Sequence, residues 1–253
     1  MYNADKLTEE EIEMIKETIQ EKLGDGIILL ISLTGSRAFG WADDKYDYDL
    51  HGVFYKPNYW DWVHVGERKL FNNKHYGLDI NMYSLGHIAE MDLRYGHFEV
   101  MMNMSNPIYS HPLFKIEMLW NLFPKETIKY LEHDIISQMN RFKMNTSSPR
   151  TALHSYRIAM LPIYYLETGR IKLNVFELNK EFFNSKFTQL EALAQSYVEK
   201  QHLYNTDIVI NELDELFTMW KTTVEKYKDL STNRERINIW YATLIKLLES
   251  EKQ

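Results

Sequence analysis

The residues best suited to chemistry are Asp47 and Asp49. On a β-strand, positions i and i+2 share a face and lie about 6.5–7 Å apart along the chain. Two carboxylates so placed repel each other unless a cation sits between them. Mg²⁺ takes a few carboxylates together with the phosphate oxygens of a substrate. Asp79 adds a third carboxylate on another strand pattern, where Leu78, Ile80 and Met82 alternate with Asp79, Asn81 and Tyr83. It therefore stands on the face away from the apolar set. Upstream, Gly35-Ser36 follows an apolar run and precedes a helical turn. Glycine lets the backbone come close to a ligand, and a hydroxyl with the amides of a helix start can hold phosphate oxygens. Arg37 next to them carries a fork suited to phosphate. A phosphate-holding turn with three carboxylates for Mg²⁺ or Mn²⁺ is the equipment of two-metal phosphoryl or nucleotidyl transfer. Each part alone is commonplace, since a lone Asp-x-Asp is usually a solvated strand edge or turn. The joint arrangement carries the reading.

The elements around these residues can be read from periodicity. Thr8-Glu9-Glu10-Glu11 has the form of a capping box, and Ile12, Ile15, Ile19 and Leu23 follow at helical spacing up to Gly24 and Gly26. The run 27–34 is a buried strand, Ser36–Trp41 a helical turn, Tyr46–Tyr55 a second strand and Gly77–Ser84 a third. Residues 86–105 carry a mixed helical pattern. Pro112, Pro124 and Pro149 stand where helices can start, because proline is tolerated in a first turn. Three amphipathic helices follow: one at about 150–168, one with Val209, Leu213, Leu216, Phe217, Trp220 and Val224 on a face, and one with Ile237, Trp240, Tyr241, Leu244 and Leu248. Strands first and helices later argue an α+β chain, a small mixed sheet followed by a helical bundle. We divide it into a catalytic domain, residues 1–110, and a helical domain, residues 111–253.

Composition narrows the function. The chain has 253 residues, 45% hydrophobic and 26% charged, which is ordinary for a globular protein. Nothing approaches the ~20 apolar residues that span a bilayer, so no membrane partner is expected. The acidic, helical start is not a secretory or transit peptide. The absence of cysteine removes disulfides, thiolate zinc sites and cysteine nucleophiles, and suits a cytoplasmic location. A net charge of −7 without a long basic block advertises no broad nucleic-acid face, though a local basic patch is compatible with it.

The residues also carry a likeness. Ser36 and Asp47 are separated by ten residues. Gly-Ser, such a gap, Asp-x-Asp and a later acidic strand residue resemble the DNA polymerase β-like nucleotidyltransferase superfamily. The chain is more closely similar to the RNA-ligase-associated (RlaP-like) group: Gly35-Ser36-Arg37-Ala38-Phe39-Gly40, then Trp41–Tyr46, Asp47-Tyr48-Asp49 and Gly52-Val53-Phe54. Tyr46 stands where the group usually has serine, and His51 where it usually has arginine. Neither replaces a proposed metal ligand. The likeness is specific over 33–55, fair over 77–84 and 150–171, and absent beyond about 205. It implies a polymerase-β-like fold and a nucleotidyltransferase. Its catalytic and metal residues would be Asp47, Asp49 and Asp79, with Gly35, Ser36, Arg37, His154 and Arg157 on the nucleotide. An NTP such as ATP would be the substrate and Mg²⁺ or Mn²⁺ the cofactor. The acceptor hydroxyl could belong to RNA, a protein or a small molecule.

The helical segment has its own signal. Arg150, His154 and Arg157 are spaced four and three apart and so share a helix face, either as an anion-binding cluster or as a solvated basic surface. Trp60, Trp62, Trp120, Trp220 and Trp240 read as core, with Trp60 and Trp62 also placed to stack a base. His64, His75, His87, His111, His133 and His202 lack ligand spacing. Asp43 and Asp44 read as caps of the loop before Asp47. Two rival functions are a non-catalytic nucleotide- or RNA-binding module and an antitoxin-type protein adenylyltransferase. A helical ribonuclease toxin is disfavoured, because the three residues between Arg150 and His154 do not meet its usual spacing.

Overall fold

A computed structural model describes residues 7–42, 47–71, 74–94, 98–114, 128, 131–229 and 234–251. Among them are five strands and ten α-helices. Helix α1 (Glu9–Leu23) opens on the expected capping box: the Thr8 hydroxyl oxygen accepts from the Glu11 amide at 3.2 Å, and the Thr8 amide donates to the Glu11 carboxylate at 2.7 Å. Then come β1 (Ile27–Leu33), α2 (Gly35–Phe39), β2 (Tyr48–Tyr55), β3 (Trp62–Phe71), β4 (Lys74–Ser84), α3 (Leu85–Arg94), α4 (Phe98–Asn103) and β5 (Pro107–Ser110). The later helices are α5 (Glu132–Met144), α6 (Pro149–Thr168), α7 (Val175–Glu181), α8 (Leu190–Glu199), α9 (Thr206–Lys226) and α10 (Arg234–Glu251).

The sheet runs β3-β4-β2-β1-β5. Strands β2 and β4 are parallel, and the other pairs are antiparallel. Two strands lie outside the periodicity reading. In β3 only Val63 and Val65 alternate as apolar residues, with Gly66, Glu67, Arg68 and Lys69 following. β5 is four residues long and starts on Pro107, which an edge strand tolerates. Pro149 does open α6, behind a Ser148 cap, whereas Pro112 lies in a turn closed by the Phe114 amide on the His111 carbonyl at 2.8 Å. Pro124, Asp43 and Asp44 fall outside the described residues.

One face of the sheet is greasy because alternate residues share a side. Tyr48, Leu50 and Phe54 of β2, Leu78, Ile80 and Met82 of β4, and Val65 of β3 pack against Ile15, Ile19 and Leu23 of α1. The opposite face is apolar at one end only. There Leu30 and Val53, paired in register, are fully buried, and the Ser32 hydroxyl donates to the Met104 carbonyl at 2.7 Å. Toward the start of β2 that face becomes polar.

The chain divides into two compact units. The first joins the sheet, α1, α3, α4 and α10, and spans 4–38, 44–124 and 232–253. α10 is tied back to the sheet by the Tyr55 hydroxyl, which donates to Glu249 at 2.8 Å, and by Trp240 packing edge-on to Phe114 at 6.1 Å. The second unit holds α5 to α9 together with residues 39–43. At its centre Glu212, buried on α9, accepts from the Tyr156 hydroxyl at 2.5 Å and from the Thr188 amide and hydroxyl at 2.6 and 2.8 Å. Those donors satisfy a carboxylate that would otherwise be costly to bury. Trp220 is buried there as expected, whereas Trp60 and Trp62 are 63% and 48% exposed and belong to no core.

Burial and the Glu249 carboxylate push the Tyr55 hydroxyl from 10.0 to about 12. Its folded value is raised, so the stabilising contribution is intact below pH 10 and is lost as pH climbs through about 12. Tyr55→Phe should therefore melt lower than the parent at pH 8 and converge on it by pH 12, as read from paired thermal melts.

Candidate functional site: three carboxylates beside a glycine turn

The polar end of the sheet is built by register. Asp49 on β2 lies directly beside Asp79 on β4 in the parallel ladder. Side chains paired in register share a face, so the two carboxylates stand together on the side away from α1. Asp47 precedes β2 by one residue and, by the alternation of the strand, faces the same way. Asp47 and Asp79 are exposed and Asp49 is half-buried.

Two glycines make room for this. A Cβ on Gly77 would lie 1.9 Å from Asp47 Oδ1, and one on Gly35 would lie 1.8 Å from Asp49 Oδ2. Gly35 also has φ +66°, a conformation that L side chains rarely adopt. The Thr34 amide donates to the Asp49 carbonyl at 2.8 Å, which pins the end of β1 to β2 and sets Gly35 against the Asp49 carboxylate. The Thr34 hydroxyl in turn donates to Asn103 at 2.9 Å. The Gly35-Ser36 turn thus touches the Asp49 carboxylate, and Ser36 next to it is half-buried.

Arg37 packs on Tyr48. It is 8% exposed, and its guanidinium lies 4.1 Å from the centre of the Tyr48 ring, on the apolar side of β2. In the helical unit, His154 meets Trp41 edge-on at 5.5 Å, and Arg157 lies over Phe39 at 4.6 Å with 6% exposure. These two steady the residues that follow the turn. Arg150 is exposed, so the three basic residues of α6 form no single solvated face.

Periodicity missed two residues of the polar face, His64 and Arg68. On β3, Trp62, His64 and Arg68 share the side that bears Asp79. The His64 imidazole Nε2 lies 2.9 Å from Asp79 Oδ1. Arg68 is exposed and stands in register with Gly77, the neighbour of Asp47. His51, where the family likeness expects arginine, lies on the same face with its ring 5.7 Å from that of Tyr83. The signal existed in the alternation of Trp62, His64, Gly66 and Arg68, but it appears only once 62–71 is known to be a strand.

Asp47 and Asp49 offer hard oxygen donors on one face, which is the chemistry of a Mg²⁺ or Mn²⁺ site. Among the described residues no three His, Asp or Glu side chains are gathered closely enough to enclose a metal. Mg²⁺ beside nucleotides is usually held by one or two carboxylates and completed by substrate phosphate and water. The donor set fits the ion.

A model of the RlaP family, the RNA repair pathway DNA polymerase beta family, matches residues 6–243. The chain belongs to this family. The match passes well beyond residue 205, where the likeness read from motifs ends, so α9 and the first half of α10 are part of the family pattern. No curated protein matches. Among solved structures, the chain is similar to spectinomycin adenyltransferase AAD(9) from Enterococcus faecialis with ATP and spectinomycin, at 12% identity and TM-score 0.46, over 85% of this chain and 100% of that one. It is also similar to a nucleotidyltransferase-like protein from Exiguobacterium sibiricum, at 13% identity and TM-score 0.32, over 85% and 78%. The α+β fold with C-terminal helices is that of a nucleotidyltransferase. No described helix is long and apolar enough to cross a membrane.

The contact at Gly77 yields a test that separates site from fold. Gly77→Ala puts a methyl where the exposed Asp47 carboxylate now lies, so the carboxylate must swing aside at little cost to stability. The melting temperature should hold, while affinity for an NTP with Mg²⁺, measured by calorimetry, falls about tenfold or more, as expected for a ligand group displaced by an ångström or two.

Proposed function

We propose that the chain is a Mg²⁺- or Mn²⁺-dependent nucleotidyltransferase. It would transfer a nucleoside monophosphate from an NTP, ATP among the candidates, to an acceptor hydroxyl with release of pyrophosphate. The observation that carries the reading is the set of three carboxylates on one sheet face, two of them fitted into space left by Gly77 and Gly35. Three unreacting acids would have no reason to share one sheet face, since their mutual repulsion disfavours it.

In this reading Asp47 and Asp49 hold the metal–nucleotide complex, and the Ser36 hydroxyl and the backbone of the Gly35 turn hold phosphate oxygens. The ion supplies neutralisation of the triphosphate charge and a more acidic acceptor hydroxyl. Asp79 takes the proton as the acceptor oxygen bonds to the α-phosphorus. The bond from that phosphorus to the bridging oxygen breaks in line, and pyrophosphate departs. Arg37, stacked on Tyr48, braces the turn from beneath. Within the helical unit, His154 and Arg157 hold Trp41 and Phe39. Positioning and electrostatics supply most of the acceleration, as for phosphoryl transfer in general. We place the chemistry in residues 1–110 and further helices in 111–253, of which α10 folds with the sheet unit, in a cytoplasmic enzyme whose acceptor is RNA, a protein hydroxyl or a small molecule.

Incubation with each α-labelled NTP and Mg²⁺ against RNA, protein and small-molecule fractions should label one of the three. Asp47→Asn should lose binding of the Mg²⁺–NTP complex. Asp79→Asn should retain most of that affinity yet turn over about 10²-fold more slowly, the scale of a positioned base. Full turnover in Asp79→Asn would remove the base from this scheme, and tight Mg²⁺–NTP binding by Asp47→Asn would remove that ligand.

A further inference from the structure

The Asp79 carboxylate is not left to find its own orientation. His64 pairs in register with Asn81, and Gly66, two residues further along β3, pairs with Asp79. The imidazole reaches its partner by leaning along the strand over Gly66. A Cβ on Gly66 would stand 3.2 Å from His64 Cε1, so the missing side chain keeps the ring's lane open. Trp62 flanks the ring from the other side, edge-on with centroids 6.5 Å apart. The result is the 2.9 Å contact between His64 Nε2 and Asp79 Oδ1.

As a stabilising ion pair this contact has little value. The side chains are 50% and 56% exposed, and exposed pairs contribute about 0–1 kcal/mol. Its consequence is directional. An imidazole nitrogen that bears hydrogen donates to Oδ1 and occupies one of that oxygen's two acceptor sites. Oδ2 is the oxygen with no such partner in this pair, and Asp79 stands beside Asp49 on the neighbouring strand. A hydrogen bond at Oδ1 biases the carboxylate toward presenting Oδ2 to the reacting centre.

From this geometry we infer that His64 is a positioning residue for nucleotidyl transfer, which fixes Asp79 as a one-oxygen acceptor of the hydroxyl's proton. The inference rests on the nucleotidyltransferase reading above. His64 touches neither nucleotide nor acceptor and acts only through Asp79. Nothing in the role requires the imidazole to be charged, since its neutral form with hydrogen on Nε2 already donates.

The test compares His64→Ala and His64→Gln in the full chain, with Asp79→Ala as background. Loss of an orienting partner typically costs 10–100-fold. His64→Ala should lower kcat by about that factor, leave the KM for NTP within about twofold, and keep the parent's melting temperature. His64→Gln, whose amide also donates, should recover most of the rate. In the Asp79→Ala background, His64→Ala should add no further loss. Imidazole nitrogen resonances of the nucleotide-free protein give an independent reading. In its neutral form His64 should carry its hydrogen on Nε2, and Asp79→Ala should shift that balance toward Nδ1. Unchanged kcat in His64→Ala, a loss confined to KM or melting temperature, or an additive loss in the double variant would overturn the inference. So would a His64 tautomer indifferent to Asp79. If the tautomer responds as expected but the protein transfers no nucleotide to any acceptor, the failure lies with the nucleotidyltransferase reading, and the positioning role falls with it.

Discussion

Everything at the polar end of this sheet follows from bringing carboxylates close to backbone that has no side chain in the way. Asp49 presses against Gly35 and Asp47 against Gly77, each closer than any Cβ would allow. The positive φ of Gly35 turns the chain out of β1 at the point where the Thr34 amide clasps the Asp49 carbonyl. The parallel register of β2 and β4 then sets Asp79 at Asp49's side. Backbone geometry thus sets three carboxylates on one face of the sheet, with the His64 imidazole 2.9 Å from Asp79.

The apolar face stabilises the arrangement from behind. With α1 packed on Leu50, Ile80 and Val65, a one-residue slip of β2 would turn Asp49 into the core and Leu50 out. The same burial that folds the sheet therefore fixes which face the aspartates occupy. Each unit also sets an arginine on an aromatic ring. Arg37 lies over Tyr48 and Arg157 over Phe39, both with little exposure, as suits a planar, weakly hydrated guanidinium.

Much of this was legible in the residues. Asp-x-Asp on a strand, a third aspartate on an alternating strand and the Gly-Ser turn were each readable, and register then joined them. The capping box at Thr8 and the Pro149 helix start were local signals and appear in the structure as read. Strand β3 was not legible, because its outward residues are polar and its apolar ones number too few to set a period. With β3 went His64 and Arg68, whose relation to the aspartates exists only across the sheet. α10 was misleading for a different reason: its amphipathic pattern is that of any bundle helix, and long-range contacts, Tyr55 with Glu249 and Phe114 with Trp240, show that it folds with the sheet unit.

Diffraction from crystals grown with Mn²⁺ and an ATP analogue that cannot be cleaved between its α- and β-phosphates addresses the central claim most directly. Manganese is located by its anomalous signal without assumption about ligands. The account predicts a peak at about 2.0–2.2 Å from carboxylate oxygens of both Asp47 and Asp49, shared with phosphate oxygens of the nucleotide. A manganese–nucleotide complex seated elsewhere on the protein, with Asp47 and Asp49 unliganded, would contradict it.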